Sequence, residues 1–188
     1  MGYKPNVLFL FTDDQRFDTI HALGNDEIIT PNLDKLVENG TVFTHAHIPC
    51  GTSAAVCMPS RAMLHTGRTL FHIEREGHEI PKEHVTMGEA FQKAGYRTFG
   101  TGKWHNGTES YARSFTDGAN IFFGGMWDHW NVPVCDYDPT GEYDNVIDYT
   151  MDFMHNNKTT KIHCDRFSTG KHSVELIAEG AIDFIREY

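Results

Sequence analysis

Long apolar runs, basic clusters and paired cysteines are all scarce in this chain, and each shortage closes off a class of function. The longest strongly apolar run, residues 7–11, is far too short to span a bilayer. Lysine and arginine number 16 against 26 aspartates and glutamates, for a formal net charge of -10. No basic stripe is visible to neutralise phosphates, so nucleic acid is not expected as a partner. A local basic pocket can coexist with an acidic whole, which leaves small anionic substrates open. The four cysteines, Cys50, Cys57, Cys135 and Cys164, are too few and too irregularly spaced for a disulfide scaffold or a zinc module. No signal peptide precedes the first apolar run, since Met1-Gly2-Tyr3-Lys4-Pro5 leads straight into it. A periplasmic, secreted or lysosomal location would therefore require a leader already removed. Internal repeats and low-complexity linkers are absent too.

What is present reads as one globular domain: 188 residues, 39% of them hydrophobic, suffice for a single core. Residues 6–11 are a continuous apolar stretch, the pattern of a strand buried on both faces in a parallel sheet. It ends at Thr12-Asp13-Asp14-Gln15, two carboxylates where open α/β sheets place their sites. Neighbours in a regular strand point to opposite faces, so Asp13 and Asp14 reach one cation only if the chain turns there. Hard oxygen ligands suit calcium or magnesium better than zinc; the same pair also fits a solvated turn that caps the next segment. Thr30 as N-cap, Pro31 in the first turn and Gly40 as stop predict a helix with Leu33, Leu36 and Val37 inward. A strand over 41–44 leads to His45-Ala46-His47, read as structural because no third metal ligand of matching character is near.

Further along, Cys57-Met58-Pro59-Ser60-Arg61-Ala62-Met63-Leu64-His65-Thr66-Gly67-Arg68 predicts a helix that opens near the cysteine and stops at Gly67. Backbone N–H groups and the dipole at a helix start favour an anion, and Arg61 returns to the Cys57 face one turn on. Residues 69–84 read as an exposed connection. Thr86 caps a helix to about Ala94 with Met87, Ala90 and Phe91 inward, and a strand over 96–100 completes a β-α-β progression. That strand opens into Thr101-Gly102-Lys103-Trp104-His105, where Lys103 and His105 project to one side of an extended chain, a charge clamp and a proton carrier. Residues 111–143, rich in glycine, aromatics and aspartate without periodicity, predict a long ordered loop walling a pocket, with His129 as a substrate contact. The same rings also fit a cover over the sheet edge. Residues 173–188 form an amphipathic helix with Val174, Ile177, Ala181, Phe184 and Ile185 on one face. Asn-x-Thr triplets begin at Asn39, Asn106 and Asn157, and Asn106 lies too near the motif residues to carry a glycan.

Cys57-Met58-Pro59-Ser60-Arg61 followed by Leu64-His65-Thr66-Gly67-Arg68 resembles, position by position, the signature of the type I sulfatases. Asp13-Asp14 after the first strand and Gly102-Lys103-Trp104-His105 after the cysteine signature resemble two further motifs of that family. The resemblance implies an α/β three-layer sandwich of the alkaline phosphatase superfamily, with a mostly parallel central sheet and helices on both faces. It also implies oxidation of Cys57 to formylglycine by a formylglycine-generating or sulfatase-maturing enzyme. In the family, one hydroxyl of the hydrated aldehyde attacks sulfur and the other then expels sulfate, a covalent catalysis in which the nucleophile performs its own release. By the same resemblance Asp13, Asp14 and residue 57 hold a divalent cation, calcium or else magnesium. Arg61 holds the formylglycine oxygen, Lys103 neutralises the sulfate and His105 assists the final proton loss.

The family completes its metal site with an Asp-Asn or Asp-His pair much further along, and uses a later histidine, a later lysine and a smaller carboxy-terminal domain. None is found here, and Asp144-Asn145 comes too early. Residues 1–188 are therefore expected to be the amino-terminal portion of a sulfatase catalytic domain, truncated, with its carboxy-terminal remainder missing. The expected function is hydrolysis of a sulfate ester on a small molecule or carbohydrate. Two other classes follow from the same residues: a phosphonate or phosphate-ester hydrolase of the superfamily, and an inactive fragment with a binding role.

Overall fold

In the computed structural model, which describes residues 4–47, 57–73, 77–150 and 157–188, the chain divides into two units, Met1–Ile48 and Pro49–Tyr188. Cys50 lies outside the described residues.

The first unit contains one helix, α1 (Pro31–Asn39), with proline in the first turn as its sequence predicts. Thr30 stands before it without making a cap bond to the helix backbone. Its hydroxyl instead donates to Asp34 at 2.9 Å and accepts the His21 N–H at 2.9 Å, while Asp34 also accepts the Ala22 N–H. A tertiary polar network has replaced the local cap, tying α1 to the 3-10 turn His21–Leu23. No residue of α1 is buried, and Leu36, expected inward, is 60% exposed. Residues 6–11 are not a buried strand: Val7 to Phe11 are all exposed and have no strand partner among the described residues. Residues 41–44 likewise form no strand, and Phe43 is exposed. An apolar strand is stable only when neighbours satisfy its N–H and C=O groups, and the described part of this unit supplies none.

The second unit is built on a β-α-β element: β1 (Phe99–Lys103), the helix Thr108–Ser114, and β2 (Asp117–Phe122) parallel to β1. Gly100 and Gly118 face each other in the ladder, and Tyr111 of the connecting helix lies across both. A methyl at Gly118 would stand 2.2 Å from the Tyr111 hydroxyl, which donates to the Gly100 carbonyl at 2.8 Å. The opposite face receives the helix Ser173–Glu187, whose Gly180 sits against Thr101 and Ala119 and whose Phe184 stacks on Phe99 at 4.3 Å. Helices thus cover both faces of the parallel pair. Between Thr101 and Gly102 the register slips, leaving Asn120 (φ +51°) as an unmatched residue of β2. Asn120 is held by donating to the Leu176 carbonyl and accepting from Arg166.

In chain order the unit's helices are α2 (Cys57–Thr66), α3 (Met87–Lys93), α4 (Thr108–Ser114) and α5 (Ser173–Glu187). Thr86 and Glu89 form a reciprocal capping box at the start of α3. Gly88, rather than Met87, Ala90 or Phe91, is the buried residue of α3, because the helix meets the Ser114 carbonyl of α4 there. Ala90 is exposed. The stretch 69–84 is not simply an exposed connection, since Leu70, Ile73 and Ile80 are core residues. Arg113 gathers that stretch by donating to the carbonyls of Ile80, Pro81 and His84.

Residues 111–143 are not one long loop. They hold most of α4, all of β2, and β3 (Asn131–Val134), which pairs antiparallel with β6 (Arg166–Thr169). An Ile121–Cys135 bridge joins β2 to β3, and β4 (Val146–Thr150) pairs antiparallel with β5 (Thr159–His163). The described residues thus make an α/β structure of one parallel and two antiparallel strand pairs. The strand predicted at 96–100 is β1, displaced toward the Gly-Lys segment. α5 matches its predicted helix; Ile177, Ala181 and Phe184 are half-buried, while Val174 and Ile185 are exposed. No helix among the described residues is long and apolar enough to cross a membrane.

The contact between α3 and α4 leaves no room for a side chain at Gly88, where a Cβ would lie 2.0 Å from the Ser114 carbonyl oxygen. Gly88→Ala is expected to destabilise the protein by about 1–3 kcal/mol, read as a lower urea midpoint with the far-ultraviolet dichroism retained.

Candidate active site

The helix α2 opens on Cys57, a half-buried free thiol, and carries Pro59 in its first turn, where the missing N–H costs no helix bond. Gly67, at φ +65°, ends it in the left-handed conformation and donates its N–H to the Met63 carbonyl at 2.8 Å. Met58, Pro59, Ala62 and Met63 are buried, and so is Arg61, only 5% exposed.

A buried guanidinium requires acceptors, and Arg61 donates to the Lys103 carbonyl at 2.5 Å, across 42 residues of chain. Two more contacts run parallel to this one. The Asn106 side chain, fully buried, donates to the Met58 carbonyl at 2.9 Å and to the Gly77 carbonyl at 2.6 Å. The His65 ring lies 4.3 Å from the ring of Trp104, which is itself buried. The indole N–H donates to Ser110 at 3.0 Å, and Tyr111 and Phe115 approach the indole edge-to-face at 5.5 and 5.6 Å. The cysteine motif and the Gly-Lys-Trp-His segment are therefore stitched together at three successive points.

Along that segment Trp104 and Asn106 are buried while Lys103 and His105 are half-buried. His105 itself has φ +70°, and its ring rests on Gly125, where a Cβ would stand 2.9 Å from Cε1 and Nε2. Burial, and secondarily the Arg61 charge, push the His65 imidazole down to about 4, so the ring between Arg61 and Trp104 is neutral at physiological pH.

Asp13 and Asp14 belong to the first unit, where both are exposed. The chain bends at the pair, and Asp14 takes φ +53°, a left-handed conformation that aspartate tolerates. The pair therefore does not alternate as it would in a strand. Its donors are the hard oxygens a calcium or magnesium ion takes. Among the described residues no three His, Cys, Asp or Glu side chains gather as metal ligands, so the donor set is partial. His45 and His47 are exposed, with His45 Nδ1 2.9 Å from the Thr44 hydroxyl. His129 lies at the start of α5: its Nδ1 is 2.7 Å from the Ser173 hydroxyl and its ring stacks on His172 at 5.1 Å.

Sequence reasoning passed over His65 and Asn106. His65 occupies a position the cysteine signature leaves open, so no pattern singles it out. Asn106 was noted only as the start of an Asn-x-Thr triplet, and its burial with both amide protons engaged rules out glycosylation there in the folded chain.

Asn106→Leu removes both amide donations, to the Met58 and Gly77 carbonyls, and is expected to cost about 1–3 kcal/mol by urea unfolding, more than a surface substitution would. For His65 the folded ring titrates near 4 and the unfolded ring at 6.5, so the unfolded chain binds more protons between those values. The His65 contribution to stability is complete above about pH 6.5 and is lost as pH falls toward 4. The loss of stability between pH 7 and pH 4.5 is expected to be smaller in His65→Phe than in the parent, as measured by urea midpoints.

The family model for sulfatases matches residues 5–187. Arylsulfatase A of Homo sapiens is 36% identical over 113 residues, which cover 55% of this chain and 21% of that protein. The arylsulfatase of Hemicentrotus pulcherrimus is 29% identical over 98% of this chain and 34% of its own length. The N-acetylgalactosamine-6-O-sulfatase of Bacteroides thetaiotaomicron is 34% identical over 55% of this chain and 21% of its own length. The chain spans about a fifth to a third of the length of these relatives. The matched residues include the cysteine helix and the segment locked against it by Arg61, and the chain belongs to the sulfatase family.

Proposed function

We propose that the intact protein hydrolyses sulfate esters, and that residues 57–66 and 102–105 carry its nucleophile and its anion clamp. The observation that supports this reading most directly is the buried Arg61 guanidinium donating to the Lys103 carbonyl, which makes one local structure of the two motif segments. Cys57 is the nucleophile position, oxidised to formylglycine by a maturing enzyme that acts on the Cys-x-Pro-x-Arg pentapeptide. Once formed and hydrated by water, that aldehyde would supply two geminal hydroxyls, one to displace the alcohol from sulfur and one to release sulfate as the aldehyde re-forms. Arg61 holds positive charge beside the nucleophile, in a site where burial strengthens its field. Lys103 neutralises the sulfate oxygens, and His105 carries the proton that ends the cycle.

Asp13 and Asp14 would hold a divalent cation, calcium in preference to magnesium, whose charge would polarise anionic oxygens. Helices on both faces of the β1–β2 pair are in keeping with a three-layer sandwich in which this pair belongs to a larger, mostly parallel central sheet. A sulfated carbohydrate is the substrate class we favour, with His129 as a contact to it. That choice draws on the aromatic residues around Trp130 and on the relative named for N-acetylgalactosamine-6-O-sulfate.

Cys57→Ala is expected to abolish turnover of an aryl sulfate without changing the urea midpoint; substantial residual hydrolysis would overturn the assignment. Mass spectrometry of the Cys57 peptide, expressed with a maturing enzyme, is expected to find the aldehyde. An aryl phosphonate turned over faster than the sulfate would move the protein to the phosphonate hydrolases. Chelation is expected to remove activity, with calcium restoring it better than magnesium.

A further inference from the structure

The sulfatase signature leaves the residue three places before Arg68 unspecified, and in this chain it is His65. It lies one turn beyond Arg61 on α2, so both side chains meet the same stretch of β1 and its continuation. Arg61 takes the carbonyl of Lys103, and His65 takes the ring of the next residue, Trp104, at 4.3 Å with the planes tilted by 38°. On its other sides the indole is fixed by Ser110, Tyr111 and Phe115, all from α4 or its end. His65 therefore forms the α2 wall of the Trp104 enclosure. Trp104 separates Lys103 from His105 in sequence, so an indole free to swing would release the backbone that aims both.

We infer that His65 is a positioning residue: its ring, packed on Trp104, fixes the strand end that carries Lys103 and His105. This rests on the sulfatase reading of the same site. The contact is made by the uncharged imidazole, because the site is largely buried and the Arg61 guanidinium repels a second positive charge. The titratable groups around it are Arg61 on its own helix, Lys103 and His105 on the segment packed against it, and Tyr111 of α4 across the indole. Of these, Arg61 is the charge that acts on the ring. Protonation in acid would break the packing from within the site.

The test uses the intact, matured protein with His65→Ala and His65→Phe, the second keeping a ring that cannot take a proton. On an aryl sulfate, His65→Ala is expected to lower kcat by between about tenfold and a hundredfold with a smaller change in KM, and His65→Phe to restore most of it. The fluorescence of Trp104, isolated by replacing every other tryptophan of the intact protein, Trp127 and Trp130 among them, with phenylalanine, is expected to change on acidification with a midpoint near 4 in the parent, and not in His65→Phe. Wild-type kcat in a folded His65→Ala variant, or a Trp104 signal titrating alike with and without His65, would overturn the inference. If His65→Ala does not fold, the fluorescence titration and the kcat of His65→Phe decide. Cys57→Ala is assayed in parallel: residual hydrolysis there sinks the sulfatase reading, while the Trp104 titration still judges the His65 contact by itself.

Discussion

One hydrogen bond sets the geometry of everything around it: the guanidinium of Arg61, almost sealed from water, reaching the Lys103 carbonyl. A buried cation without an acceptor would cost several kcal/mol, so the helix bearing Arg61 and the end of β1 are not free to separate. The acceptor is a backbone group, which makes the constraint independent of the side chain at position 103. The Asn106 bond to the Met58 carbonyl and the His65 packing on Trp104 follow the same line, one on each side of Arg61 along α2.

Behind this seam stands an aromatic cluster whose members come from the chain just after β1, from α4 and its end, and from the chain after β2. Trp104, Tyr111, Phe115, Phe123 and Tyr143 contact one another mostly edge-to-face, an arrangement that combines apolar burial with favourable ring quadrupoles. Tyr111 and Tyr143 are pushed above the usual phenol range by burial, which keeps both rings neutral and suited to a core role.

The helix of the candidate site was legible in the sequence because motif residues are local: a cysteine, a proline and an arginine within one helical turn announce a helix start by themselves. The helices at 31–39, 57–66, 87–93 and 173–187 were readable for the same reason, through caps, prolines and glycine stops. Strands were harder. Residues 6–11 have the composition of a core strand but form no strand among the described residues, since strand formation depends on partners that composition does not reveal. β2 and β3 escaped notice because Gly118, Asn120 and Pro133 interrupt the alternation on which a period-two reading relies. The role of Asn106 was illegible in principle: a triplet pattern says nothing of the two carbonyls that meet its amide in space.

The unmatched residue of β2 has a consequence for how this sheet tolerates change. Side chains on a strand keep step with their partners two by two, and Asn120 resets that count just where Thr101 gives way to Gly102. Ala119 and Asn120 both lie beside Gly180 of α5, while Gly118 and Ile121 on either side of them turn to Tyr111 and the core. The added residue thus gives α5 two successive contacts on β2, and a change there is felt first by that helix rather than by the buried Ile121.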